Sequence, residues 1–307
     1  MSHFLSAADL TRERVLDLFR VTAELKQRRK AGRHDNALVG RTLALIFEKP
    51  SLRTRVTFEV GVVQLGGRAV YLSGSEIGMG TRESVADVAR NLSRWVDGIA
   101  ARVYAHATVE SLARHATIPV INGLSDFEHP CQALADYFTL WERGLDLGRV
   151  RLTWLGDGNN VCHSVLILGA LLGTRMTVGC PPGYEPDPRV LDTVRRLGSQ
   201  VTITPDAQDA AADADVVYTD VWTSMGQEGE RERRLEAFQR YQVNETVLRF
   251  AKPRALVMHC LPAHRGEEIT DSVLDGDSSI VLDQSENRLH AQKAIILDLL
   301  GASIDDA

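Results

Sequence analysis

Thr42-Leu43-Ala44-Leu45-Ile46-Phe47-Glu48-Lys49-Pro50-Ser51-Leu52-Arg53-Thr54-Arg55 joins an apolar run to a polar segment that opens a helix. A short apolar run without alternation is what a strand buried on both faces requires. Pro50 and Ser51 are helix-start signals, because proline suits the first turn and serine caps its free N–H groups. The helix is predicted to continue to about residue 65, where Gly66-Gly67 stop it. A buried strand followed by a helix is half of a strand–helix–strand crossover, and the same alternation extends in both directions.

Toward the N-terminus, Ser6 and Thr11 are plausible caps before Val15, Leu18, Phe19 and Leu25, which recur at helical spacing. The cationic run 26–30 then reads as the solvated end of that helix. Downstream, strands are predicted at 69–72, 98–104 and 118–121, with helices over 84–96, 109–115 and 129–143. The Gly- and Ser-rich stretch 73–82 reads as a loop. The pattern restarts near Gly148. Strands are predicted at 150–155, 176–179, 200–203, 216–219, 255–259 and 280–282, with helices between them and a last helix over 285–300. The expectation is an α/β chain of two domains, each a mostly parallel sheet flanked by helices. The first covers 1–144 and the second 148–284.

With 307 residues, 44% hydrophobic and 25% charged, the chain has the composition of an ordinary globular protein. Its 35 basic and 41 acidic residues give net −6, which disfavours a general nucleic-acid or anionic-membrane binder. No run approaches the roughly 18–20 apolar residues of a membrane helix. The start, Met1-Ser2-His3-Phe4-Leu5-Ser6, lacks the basic and long apolar regions of a secretory leader. A cytoplasmic location is therefore expected. Cys131, Cys162, Cys180 and Cys260 form no C-x-x-C pair, so neither a metal site nor a disulfide framework is expected.

Ligands of parallel sheets bind beyond the carboxyl ends of the strands, so chemistry is sought there. In Lys49-Pro50-Ser51-Leu52-Arg53-Thr54-Arg55, helix-start N–H groups, two hydroxyls and two arginines suit a phosphate. No P-loop pattern is present. His129-Pro130-Cys131-Gln132 opens another helix with a hydrogen-bond donor for a carbonyl oxygen, and Arg102 ends a strand that could bring it to the same anion. In Asp220-Val221-Trp222-Thr223-Ser224-Met225-Gly226, a carboxylate, a hydroxyl and backbone donors suit an α-amino acid; the alternative is a turn capped by Asp220. His259-Cys260-Leu261-Pro262 places an imidazole and a thiol at a strand end. Neighbours on a strand point to opposite faces, so the two do not form a dyad by themselves. Gly156-Asp157-Gly158 resembles the start of a dinucleotide loop, but the third glycine would fall at Val161 and is absent. A nicotinamide-dependent dehydrogenase is accordingly disfavoured.

These motifs, in this order over nearly the whole chain, resemble the aspartate/ornithine carbamoyltransferases, most closely the branch that uses ornithine. Supporting stretches are Phe47-Glu48-Lys49-Pro50, Asn122-Gly123-Leu124-Ser125-Asp126, Leu155 to Asn160, Ser224 to Glu228 and Glu286-Asn287-Arg288. The resemblance implies transfer of the carbamoyl group of carbamoyl phosphate to the δ-amine of L-ornithine, giving L-citrulline and phosphate without a cofactor. It implies a carbamoyl phosphate-binding domain over 1–144, rejoined by the returning helix at 285–307, and an ornithine-binding domain over 148–284. Ser51, Arg53, Thr54 and Arg102 would hold the phosphate. Leu52 stands where the family usually has threonine, so it would offer only its backbone N–H. Arg53, Arg102 and His129 would face the carbonyl oxygen, Gln132 the carbamoyl amide, and Arg288 the carbamoyl side. Asn160, Asp220, Ser224 and Met225 would grip the α-amino and α-carboxylate groups of ornithine. Cys260 and Leu261 would sit where the carbamoyl group meets the δ-amine. Arg53, Arg102, His129, Asp220 and Cys260 would be the catalytic set. The family's usual assembly implies a homotrimer, or a multiple of it, in which loop 73–82 enters the neighbour's site. Carbamoyl phosphate would bind first, with domain closure between the two substrates. Other amines of the family, putrescine and N-acetylornithine among them, and a non-catalytic paralogue are the alternatives.

Overall fold

The computed structural model describes residues 2–224 and 226–304. The chain divides into two compact units, Met1–Phe138 with Asn287–Ala307, and Thr139–Glu286. Both breaks fall inside helices, where no turn residue marks them.

In the first unit, Thr11 caps α1 (Arg12–Lys30) by accepting from the N–H of Arg14. Then follow β1 (Thr42–Phe47), α2 (Leu52–Gln64), β2 (Arg68–Ser73), α3 (Gly74–Ile77), α4 (Val85–Trp95), β3 (Gly98–Arg102), α5 (His106–His115), β4 (Val120–Leu124) and α6 (Pro130–Glu142). The sheet is parallel with order β2-β1-β3-β4. Its two inner strands, β1 and β3, are buried almost throughout, as their unbroken apolar sequences require. Gly66, at φ +83°, ends α2 in the left-handed conformation that glycine adopts without penalty.

In the second unit, β5 (Arg151–Leu155) leads to α7 (Asn160–Leu172), then β6 (Arg175–Gly179), α8 (Pro188–Arg196), β7 (Val201–Thr204), α9 (Ala207–Ala211) and β8 (Val216–Thr219). After these come α10 (Arg231–Phe238), α11 (Glu245–Leu248), β9 (Leu256–His259), α12 (Asp271–Leu274) and α13 (Val281–Leu300). The order β7-β6-β5-β8-β9 is again wholly parallel. From Asn287 onward α13 belongs to the first unit. Lys26 Nζ of α1 donates to Asn287 Oδ1 at 2.7 Å and anchors it there.

Three local expectations are corrected. Residues 280–282 are not a strand. Val257 N bonds Ser278 O and Ile280 N bonds Val257 O, and α13 begins at the next residue. Leu282 is 77% exposed while Val281 and Gln284 are buried, a helical rather than a strand period; so short an apolar run does not distinguish the two. Within loop 73–82, residues Gly74–Ile77 form one helical turn. The run 26–30 is not wholly solvated, because Lys26 is buried against Asn287 and Arg28 bonds the carbonyl of Ile304 at 3.0 Å. Among the described residues no helix is long and apolar enough to cross a membrane.

Candidate active site

Each sheet changes winding direction once. In the first unit the chain leaves β1 toward β2 on one side and later adds β3 on the other. The crevice beyond the carboxyl ends of β1 and β3 is the switch point at which parallel sheets bind ligands. Residues after β1 and at the end of β3 meet there. Ser51 caps α2, accepting from Thr54 N at 3.2 Å. The buried Thr54 hydroxyl accepts from Arg288 Nη2 at 2.8 Å and from Arg102 Nη1 at 3.5 Å. A single hydroxyl thereby gathers one guanidinium from the end of β3 and one from α13. The two are far apart in the sequence, and both are buried.

Arg53 and Arg55 diverge, because residues two apart on a helix point to different sides. Arg53 is half-buried and lies close enough to His129 for its charge to act on that ring. Arg55 turns outward, with its guanidinium 3.7 Å from the centre of the Tyr71 ring and 3.5 Å from Glu59. Of the two forked charges expected at this loop, one belongs to the cluster. Leu52, at the expected phosphate contact, has its side chain 75% exposed. Lys49, buried over the Tyr104 ring at 4.6 Å, adds a cation that the sequence reading passed over.

His129 is buried at the entry to α6. Burial, then the charges of Arg288, Arg102 and Arg53 in that order, hold its pKa well below the ordinary histidine value. It is therefore a neutral imidazole at physiological pH, able to donate one hydrogen bond without competing for an anion's charge. The preceding motif positions it. Ser125 Oγ accepts from the N–H groups of Phe127 and Glu128, and Glu128 is tied to Ala7 N at 2.9 Å. Cys131 bonds the carbonyl of Asn122, and burial pushes its thiol up to about 12, so it is a packing residue. Gln132 donates to Asp136 Oδ1 at 2.8 Å.

In the second unit the switch point lies between β5 and β8. Asn159 follows β5 and caps α7, accepting from Val161 N and Cys162 N. Its amide donates to Asp220 Oδ2 at 2.9 Å, just after β8. The thiol of Cys260, just after β9, donates to Asp220 Oδ1 at 3.0 Å. Asp220 is thus a buried carboxylate held by two donors from two other strand ends. Asn160, the expected site residue, is the first residue of α7, and its neighbour Asn159 makes the bond to Asp220. An asparagine directly before a helix is itself a capping signal that could have found it. Ser224 N bonds Gln227 Oε1 at 3.1 Å. Met225 lies outside the described residues.

His259 and Cys260 come within 4.8 Å of one another yet are committed to different partners, Cys260 to Asp220 and His259 to Leu261 and Glu268. His259 Nδ1 accepts from Leu261 N at 2.8 Å, so the ring proton sits on Nε2 and is donated to Glu268 at 3.0 Å. That bond holds Leu261 in its left-handed conformation, φ +59°. Arg234 is a further residue missed by sequence reasoning. Its Nη1 bonds both Asp157 Oδ2 at 2.8 Å and Trp222 O at 2.9 Å, tying the loop after β5 to the loop after β8. Asp157 is pushed up by burial and pulled back by that arginine.

The glycine pattern after β5 has a structural cause. A Cβ on Gly158 would lie 2.3 Å from Pro186 N and 2.5 Å from the carbonyl carbon of Glu185. Chain fills the space that a dinucleotide reading would leave to a pyrophosphate. Among the described residues, Asp220, His259 and Cys260 bring potential metal ligands within 4.8 Å of one another, as do His264, Glu267 and Glu268. Both nitrogens of His259 are committed, which leaves Asp220 and Cys260, fewer than the three protein ligands of a catalytic zinc site.

A family model described as the carbamoyl-P binding domain of aspartate/ornithine carbamoyltransferase matches residues 2–142, and the model for the Asp/Orn binding domain matches residues 149–299. The chain belongs to the aspartate/ornithine carbamoyltransferase family. An ornithine carbamoyltransferase of Archaeoglobus fulgidus is 50% identical over 301 residues, covering 98% of each chain. The solved ornithine carbamoyltransferase of Pyrococcus furiosus superposes with a TM-score of 0.94 at 50% identity, covering 97% of each chain. A solved N-acetyl-L-ornithine transcarbamylase mutant has a TM-score of 0.87 at 32% identity and covers 97% of this chain. In this carbamoyltransferase the anion cluster falls within the carbamoyl-P binding match, except Arg288. Arg288 is inside the second match by sequence but packs with the first unit through α13.

Proposed function

We propose that the chain transfers the carbamoyl group of carbamoyl phosphate to the δ-amine of L-ornithine, giving L-citrulline and phosphate. The observation that carries this reading is the cluster of Arg53, Arg102 and Arg288 around the Thr54 hydroxyl and a neutral His129. A phosphate ester with an adjacent carbonyl fits that cluster: the arginines take the phosphate, and His129 donates to the carbonyl oxygen. Ser51, Thr54 and the N–H of Leu52 complete the phosphate contacts, and Gln132 faces the amide. The choice of ornithine is supported by full-length relatives of that name at about 50% identity. It is also supported by the buried Asp220, a partner for a free α-ammonium that an acylated nitrogen could not use. Asn160, Ser224 and Met225 are assigned to the same α-amino acid, and Cys260 and Leu261 to the region of its δ-amine.

The δ-ammonium first loses a proton, and the neutral amine adds to the carbonyl carbon. Negative charge moves to the oxygen, where Arg53, Arg102 and His129 are preorganised donors, each worth about 3 kcal/mol in comparable sites. Collapse expels phosphate, which takes the proton shed by the nitrogen. No redox or metal chemistry enters this route.

We also infer a cytoplasmic enzyme that assembles as a homotrimer or a multiple of it. Leu52, Val56, Val60 and Val63 form an exposed apolar stripe along α2, beside edge strand β2 with its exposed Val70. Such a stripe suits contact between copies. Loop 73–82 leaves β2 at the same carboxyl edge of the sheet as the anion cluster, as a loop serving a neighbour's site would. Sedimentation equilibrium is expected to give three chain masses or a multiple of three; a single-chain mass rejects the assembly.

The function is tested by product formation from carbamoyl phosphate with ornithine, N-acetylornithine, putrescine and aspartate in parallel at mildly alkaline pH. Citrulline from ornithine alone is expected. Turnover of a different amine overturns the ornithine half, and no turnover from folded protein that binds phosphate favours a non-catalytic paralogue.

A further inference from the structure

The first turns of α6 carry a buried pair with one polar atom left over. Gln132 and Asp136 are one helical turn apart and both are buried. Gln132 Nε2 donates to Asp136 Oδ1 at 2.8 Å. A carboxylate accepts and does not donate, so this contact decides which end of the amide faces Asp136. The other end, Gln132 Oε1, is buried and has no hydrogen-bond partner among the described residues. Buried polar atoms are nearly always paired, so a leftover acceptor marks the place of a donor from outside the chain. Gln132 follows the neutral His129 by one turn at the start of α6, beside the arginine cluster. The charges of Arg288, Arg102 and Arg53 act on His129, and Gln132, one turn later, adds an acceptor to that end of the helix.

We infer that Asp136 is a positioning residue. It locks the Gln132 amide with its oxygen toward the –NH2 of the carbamoyl group, and so makes the site select a carbamoyl phosphate over an acyl phosphate that lacks the amine. This rests on the proposed assignment of Gln132 to the carbamoyl amide. Without Asp136 the amide can turn over and oppose one –NH2 with another.

The probe is acetyl phosphate, which keeps the phosphate and the carbonyl and replaces the amine by a methyl group. The readout is the ratio of its inhibition constant to the dissociation constant of carbamoyl phosphate. In Asp136→Leu the ratio is expected to fall about tenfold, through weaker carbamoyl phosphate binding alone. Equal weakening of both ligands, or an unchanged ratio, overturns the role of Asp136. If the leucine variant does not fold, Asp136→Asn serves instead. Its side chain can present either an oxygen or an –NH2 and so no longer fixes which end of the Gln132 amide faces it. The ratio is expected to fall there too, and an unchanged ratio overturns the proposal. A native chain that binds the two phosphates equally, or neither, refutes the assignment of the site itself. A native chain that discriminates while Asp136→Leu discriminates equally well refutes only Asp136.

Discussion

Asp220→Asn is expected to lower kcat/KM for ornithine by about 10³-fold while carbamoyl phosphate binding stays within about twofold. Both oxygens of Asp220 accept hydrogen bonds, one from Asn159 Nδ2 and one from Cys260 Sγ. An asparagine has one acceptor and one donor, so its Nδ2 must oppose one of those donors. The substitution therefore removes the charge for an α-ammonium and also breaks the hold on the group that remains. Two measurements decide the matter: steady-state kinetics with ornithine varied, and calorimetric titration of carbamoyl phosphate. Equal losses in both would mean that the residue holds the fold rather than the amino acid. Combining Asn159→Asp with Asp220→Asn should restore the hydrogen bond and thermal stability without restoring ornithine use, because the carboxylate is then displaced from its original place.

Arg53→Ala is expected to cut kcat/KM by about 10²-fold or more, with Arg55→Ala within about twofold as the control. The two arginines flank Thr54, yet Arg53 acts on His129 and Arg55 stacks on Tyr71. Removing Arg53 also removes one of the charges that depress His129. The imidazole pKa should then rise toward its ordinary value, an effect visible in an NMR titration. Near-normal kinetics for Arg53→Ala, or equal losses for both variants, would reject the assignment.

The site was legible in proportion to how local its determinants are. Ser51 announces itself by standing before a helix, and the hydroxyls and arginines that follow announce an anion. The need for Gly158 was not legible, since it is a close backbone approach at Pro186 from a segment well downstream. Residues 280–282 misled because three apolar residues carry no period. Asp136, Asn159 and Arg234 were missed because their parts are defined by partners: an amide to orient, a carboxylate to hold, two loops to tie.

The sequence alone determined that strands and helices alternate, where most helices begin and stop, and which polar and charged residue types stand at the strand ends. These are matters of apolar runs, caps and residue type, each settled within a few neighbours. The tertiary structure decided that β1 with β3, and β5 with β8, are the strand ends that meet. It decided that Arg288 shares the Thr54 hydroxyl with Arg102, that Arg53 rather than Arg55 joins them, and that Asn159 bonds Asp220. The reason is physical: strand order and the polarity of a hydrogen bond depend on groups far apart in the chain, and those meet only when the sheets are formed.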